Sequence, residues 1–198
     1  MEPGIGVPVL SAGRCAGWGA LKRRSPWLLA LAFATPLGAR SQTQTRADAL
    51  QRVFGTDARL EQKNVFLTDA QVDAVETQAR ARLEHARVSV YQASRADTVV
   101  GRAYLDTHRV RSQHATLLVV VGPDGRTRNV EILAFHEPED YRPPSRWLRT
   151  LVGRDLSQPL QPGADVDAIS GATLSVRATT AAVRRVLAID RVLYGDKP

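Results

Sequence analysis

Ala115-Thr116-Leu117-Leu118-Val119-Val120-Val121 runs directly into Gly122-Pro123-Asp124-Gly125, and the chain continues as Thr127 to Phe135 with Val130, Ile132 and Leu133. The first run is apolar and rich in β-branched residues, the composition that suits a buried, pleated strand. The four residues after it carry turn chemistry. Proline presets its own φ, aspartate bonds nearby backbone, and glycine accepts a positive φ without a Cβ clash. Two strands joined by so tight a turn form a β-hairpin over 115–135, and a hairpin is antiparallel by construction. This stretch decides the fold class.

Moving outward, Val88-Ser89-Val90-Tyr91 and Thr98 to Leu105 read as two further strands. Before them, Thr68-Asp69 looks like a helix cap, and Val72, Val75, Ala79 and Leu83 recur at helical spacing, predicting a helix over 68–83. A shorter helical pattern places Ala47, Leu50, Val53 and Phe54 on one side. After the hairpin, Pro138, Pro143 and Pro144 break regular structure, a short helix follows near 145–152, and 157–164 is a loop containing two prolines. The last element is a long helix from about Ser175 to Leu193, with Val176, Val183, Val186, Leu187 and Leu193 as its apolar stripe. Arg177, Arg184, Arg185 and Arg191 fall mostly away from that stripe. Helices, then antiparallel strands, then a helix predict an α+β domain: a mainly antiparallel sheet packed with helices, the long C-terminal helix laying its Val183/Leu187 face on the sheet.

The 198 residues suffice for one ordinary domain, and a single cysteine, Cys15, excludes a cysteine-built metal site or a disulfide scaffold. The net charge of +7 is concentrated at the amino end, where Arg14, Lys22, Arg23, Arg24 and Arg40 face one acid, Glu2. Setting these five bases and one acid aside from the chain's 27 and 20 leaves an excess of only three bases. So balanced a domain lacks the basic patch that nucleic-acid binding requires, and no such partner is expected. Residues 1–41 read as an export signal: Lys22-Arg23-Arg24, a short apolar run from Trp27 to Ala34, and small residues at Ala39-Arg40-Ser41. Cleavage before Gln42 or after Ala39, and retention as a membrane anchor, are the alternatives. The expected location is periplasmic, with membrane association if the segment is kept.

One stretch carries chemistry: Asp167-Ala168-Ile169-Ser170-Gly171-Ala172-Thr173-Leu174-Ser175, just before the long helix. Small residues at Gly171 and Ala172 let backbone approach a ligand closely. The free amides and the dipole of a helix start favour a phosphate there. The hydroxyls of Thr173 and Ser175 stand where they can cap the helix or carry a phosphoryl group, and Ser175 alone also reads as an ordinary N-cap.

The pattern Asp-x-x-Ser-Gly-Ala-Thr over 167–173 resembles the flavinylation motif of the FMN-binding domain family, which includes the C subunit of sodium-pumping NADH:quinone reductase and the G subunit of the Rnf complex. The resemblance extends over about 97–195. It implies that Thr173 holds FMN through a phosphoester and that Asp167, Ser170, Gly171 and Ala172 are what a periplasmic flavin transferase recognises. A departure concerns the loop after the hairpin. Relatives often carry Glu-Thr-Pro-Gly-Leu-Gly, whereas this chain has His136-Glu137-Pro138-Glu139-Asp140-Tyr141, keeping the glutamate and a proline but none of the glycines.

The expected organisation is therefore a signal over 1–41, an N-terminal helical segment over 42–96 and an FMN-binding domain over 97–198. Glu137 joins the expected cofactor residues by its place in that loop. Trp147 and Tyr141 are candidate neighbours of a flavin ring, since aromatic faces stack on planar ligands, though Trp147 equally suits a core anchor. His85, His108, His114 and His136 fit no compact metal spacing, and no metal site is expected. The expected function is a periplasmic electron-transfer flavoprotein, its partners the transferase and a membrane or periplasmic redox protein. The alternatives are an exported module that binds an anion non-covalently and a flavin-free structural subunit of a membrane redox complex.

Overall fold

The computed structural model describes residues 46–195; the expected export signal over 1–41 lies outside the described residues. Five strands form one open sheet: β1 (Arg59–Phe66), β2 (Arg87–Arg95), β3 (Thr98–Arg109), β4 (His114–Val121) and β5 (Thr127–Phe135), each antiparallel to its sequence neighbour in the order β1-β2-β3-β4-β5. Four helices accompany them: α1 (Arg46–Phe54), α2 (Asp69–Ala79), α3 (Ser145–Leu148) and α4 (Thr173–Tyr194). The fold is α+β with a long C-terminal helix. Among the described residues no helix is long and apolar enough to cross a membrane.

The hairpin is where the sequence places it. The Gly125 N–H donates to the Gly122 carbonyl at 3.0 Å, the Gly122 N–H to that of Arg126 at 2.8 Å, and Gly125 takes φ +72°. β4 explains its own unbroken apolarity. Leu117, Val119 and Val121 belong to one core with α2 and α4, whereas Leu118 and Val120 belong to a second core with Ala49, Leu50 and Phe54 of α1. Both faces of this interior strand are covered, so alternation of apolar and polar residues disappears.

Three expectations need correction. Within 42–96 the strand expected at Val88–Tyr91 forms as part of β2, but a second strand, β1, was not expected, and it carries no apolar alternation at all: Arg-Leu-Glu-Gln-Lys-Asn-Val-Phe. It is an edge strand held by eight register pairs with β2, and its charges leave that edge unattractive to another chain. α2 stops at Ala79 rather than residue 83, because Arg80 turns into the left-handed region at φ 52°. Its start is as expected, with Thr68 and Gln71 forming a capping box.

The third correction concerns α4. Val183 and Leu187 do face the sheet, but Arg184 and Arg185 are buried as well. Arg185 forks onto Asp106 of β3 at 2.7 and 3.0 Å. Arg184 donates to the carbonyls of Gln78 and Ala79 at the end of α2, and to those of Gln158 and Pro159. A buried guanidinium is tolerable only when its donors are met, and these are met by partners far away in sequence. One helical turn further, Asp190 accepts from Arg102 at 2.5 and 3.0 Å and from the Tyr104 hydroxyl at 2.6 Å. These contacts fix the lengthwise position of α4 on the sheet, and with it the placement of the helix start.

Candidate functional site

α4 begins at Thr173, not at Ser175, with Ala172 in the cap position. Thr173, Leu174 and Ser175 are thus the first three helical residues, whose amides have no partner inside the helix. The first turn closes only at Val176, whose N–H donates to the Ala172 carbonyl at 3.0 Å. No side chain caps this terminus. Ser175, readable from sequence as an N-cap, is instead buried within the first turn. Gly171 just before it has φ +81°, a left-handed conformation that glycine adopts without strain, and a Cβ there would meet nothing within 4 Å. The backbone is open on that side.

The helix start lines a recess of 140 Å³ together with Val110 and Arg111 from the β3–β4 turn, and Glu137 and Tyr141 from the loop after β5. Sites that enclose a whole ligand run upward from roughly 300 Å³, so this recess can grip only part of a ligand the size of FMN. Arg111 lies with its guanidinium 5.9 Å from the centre of the Tyr141 ring. An exposed cation and an aromatic ring therefore share the recess with an uncapped helix start and the Thr173 hydroxyl.

Glu137 has a role that sequence alone did not define. Its Oε1 accepts the N–H groups of Arg111, Ser112 and Gln113 at 3.1, 2.6 and 2.8 Å, and the Ser112 hydroxyl adds a weaker bond. The Gln113 amide and its two neighbours hold this carboxyl below the usual glutamate range, against the opposing effect of burial. Glu137 lines the recess, but its carboxylate is spent on bracing the turn that carries Arg111.

The remaining sequence-predicted residues divide clearly. Thr173, Gly171, Ala172, Ser175 and Glu137 meet at the recess. Asp167 and Ser170 are exposed and lie outside its lining. Trp147 is a core residue, packed with Leu148, Leu151 and Val166, and its indole N–H donates to the Asp167 carbonyl at 2.7 Å. Tyr141, not Trp147, is the aromatic at the recess. Sequence reading missed Arg111, which sits in a polar turn between strands where an arginine normally signals only solvent. The signal that finds it is positional: it stands at the tip of the β3–β4 hairpin, which meets the motif only in the folded domain.

An antiparallel α+β domain that gathers an open helix start, a hydroxyl, a cation and an aromatic ring is built to hold a ligand both anionic and planar. Residues 112–188 match the family model of the FMN-binding domain. The match supports an FMN-binding domain over that part of the chain, and with it a flavin-binding protein whose ligand is FMN. The match takes in β4, β5, α3, the motif and most of α4, and leaves β1, β2, β3, α1 and α2 outside it. Comparison with curated proteins gives no match. The residues present fit FMN: helix amides and Arg111 answer the charge of its phosphate, the open side of Gly171 admits its approach, and Tyr141 offers a face to a flat ring.

Proposed function

We propose that Thr173 carries FMN through a phosphoester and that the chain is an exported electron-transfer flavoprotein. The observation that carries this reading is a selection among the motif's hydroxyls. Thr173 alone is both exposed and at the recess; Ser175 is at the recess but buried, and Ser170 is exposed but away from it. An attaching enzyme working from outside needs a hydroxyl it can reach.

The attachment balances as a phosphoryl transfer from FAD. The Thr173 oxygen forms a bond to the phosphorus on the flavin side of the pyrophosphate, the P–O bond to the other phosphate breaks, and AMP leaves with that oxygen. The threonine proton passes to a base of the transferase. No electrons change hands. Afterwards the α4 amides and Arg111 hold the phosphodiester charge, and Glu137 keeps Arg111 in reach of it. When bound, the flavin supplies the redox chemistry, and the protein supplies position and electrostatics. A tether suits an exported carrier, because free FMN lost outside the cytoplasm is not readily replaced. Export rests on residues 1–41; the transferase and a membrane or periplasmic redox partner complete the scheme.

The test is flavin fluorescence of the denatured protein on a gel after co-expression with a flavin transferase. Wild type and Ser175→Ala should fluoresce and Thr173→Val should not, although valine preserves shape and β-branching. Fluorescence surviving in Thr173→Val would overturn the assignment. Flavin present in the native protein but stripped from wild type on denaturation would favour the non-covalent alternative.

A further inference from the structure

The loop that delivers Thr173 has few fastenings. Between 167 and 172 its own turn bond runs from the Ala172 N–H to the Ile169 carbonyl at 3.1 Å, while Asp167 and Ser170 are exposed. Just upstream the chain is pinned, with Arg154 donating to the Asp165 carbonyl at 2.9 Å, and the Asp165 carboxylate accepting the N–H groups of Leu160 and Gln161 at 3.0 and 2.7 Å. Beyond that point, among the described residues, Ile169 packs against the core, and the hydrogen bond tying the motif to the body of the domain is the one from Trp147 Nε1 to the Asp167 carbonyl.

Trp147 is well placed to act as a peg. It is 4% exposed, its own N–H donates to the Pro144 carbonyl at 2.9 Å, and its carbonyl accepts the Thr150 hydroxyl at 2.7 Å. An indole has a single donor, and burial makes that donor costly to leave unmet. The carbonyl it meets belongs to the first residue of the motif. A core side chain therefore fixes the start of the stretch whose far end is the hydroxyl.

We propose that Trp147 is a positioning residue for flavin attachment: the hydrogen bond from its indole N–H to the Asp167 carbonyl holds 167–172 in the conformation that an attaching enzyme grips to reach Thr173. This rests on the reading of Thr173 given above. One hydrogen bond between neutral groups corresponds to roughly a 2- to 12-fold change in an opening equilibrium. Without it the competent conformation of the loop is populated less, and an apparent affinity falls in proportion to that population.

The experiment compares wild type with Trp147→Phe, which keeps an aromatic ring in the core and removes the N–H. Amide hydrogen exchange is measured on the flavin-free protein, and the kinetics of attachment are measured with the transferase and FAD. Exchange over 167–172 should rise about 2- to 12-fold with β4 and the second half of α4 unchanged, and KM for the acceptor protein should rise with little change in kcat. Exchange rising equally through sheet and helix would reduce Trp147 to a packing residue and overturn the proposal. So would loop exchange and KM that both stay at wild-type values. If phenylalanine prevents folding, benzothienylalanine at 147 replaces the N–H by sulfur at nearly constant shape, and the same outcomes apply. Wild-type protein that takes no flavin at all defeats the Thr173 reading instead, a result distinct from any loop-exchange outcome.

Discussion

Asp190→Ala removes the centre of a buried polar cluster, and its cost can be worked from the contacts. Asp190 is 2% exposed, and its carboxylate accepts from Arg102 Nε and Nη2 and from the Tyr104 hydroxyl. The Arg102 guanidinium also lies over the Tyr194 ring at 4.5 Å, so it has no easy route to water once its partner is gone. Burial, the adjacent Asp190 charge and its hydrogen bond push the Tyr104 phenol well above its ordinary range, so in the wild-type cluster Tyr104 is the neutral donor beside the Arg102–Asp190 pair. Breaking a buried pair from one side costs about 3–5 kcal/mol, mostly from the orphaned charge. For a folded region of about 150 residues this is a drop of roughly 6–20 °C in Tm. Thermal and urea unfolding of the flavin-free protein, followed by circular dichroism, measures it. The triple variant Arg102→Met/Tyr104→Phe/Asp190→Leu should recover to within about 1 kcal/mol of wild type, because no buried polar group is left unmet. A loss below about 1 kcal/mol in Asp190→Ala, or a triple variant as damaged as the single one, would refute the reasoning.

Acid should weaken the fold in a defined window. Burial opposes ionisation of Asp106, but hydrogen bonds from His108 and Arg185 hold its carboxyl below the ordinary 3.8, and Glu137, Asp155 and Asp165 are lowered as well, by their own hydrogen-bond partners. Depressed folded values mean that their contribution is present above the unfolded values of 3.8 for aspartate and 4.5 for glutamate and is lost as pH falls below them. Urea midpoints should therefore fall steadily below about pH 4, and a flat profile there contradicts the assignment. Gly171→Ala should cost about 1–2 kcal/mol despite the empty space around it, because the strain lies in φ and not in contacts. Urea unfolding checks this, and a neutral result would mean that the loop relaxes to a negative φ.

The parts of the fold that were legible in sequence are those whose physics is local. The 115–135 hairpin announces itself because turn residues and β-branched runs act on their own backbone. The Thr68–Gln71 cap does so for the same reason. β1 did not, since Glu61 and Lys63 give no apolar period and the strand exists only because β2 offers it a ladder. Arg184 and Arg185 were read as surface residues because their acceptors lie on β3, at the end of α2 and in the 158–159 loop, none of which a helical wheel can see. At the site, the motif residues Thr173, Gly171 and Ala172 line the recess, and the helix starts two residues earlier than the sequence suggested. With that start Thr173 is the exposed first residue of α4 and Ser175 is buried. The bracing of Arg111 by Glu137, and of Asp167 by Trp147, depends on chain segments that meet only in the folded domain.

The central claim is that one oxygen, that of Thr173, bonds to the flavin phosphate. Peptide mapping by mass spectrometry of protein co-expressed with a flavin transferase tests it most directly. The account predicts an FMN adduct localised to Thr173 by fragment ions, with Ser170 and Ser175 unmodified. An adduct on either serine, or none on wild type under conditions that flavinylate another member of the family, would contradict it.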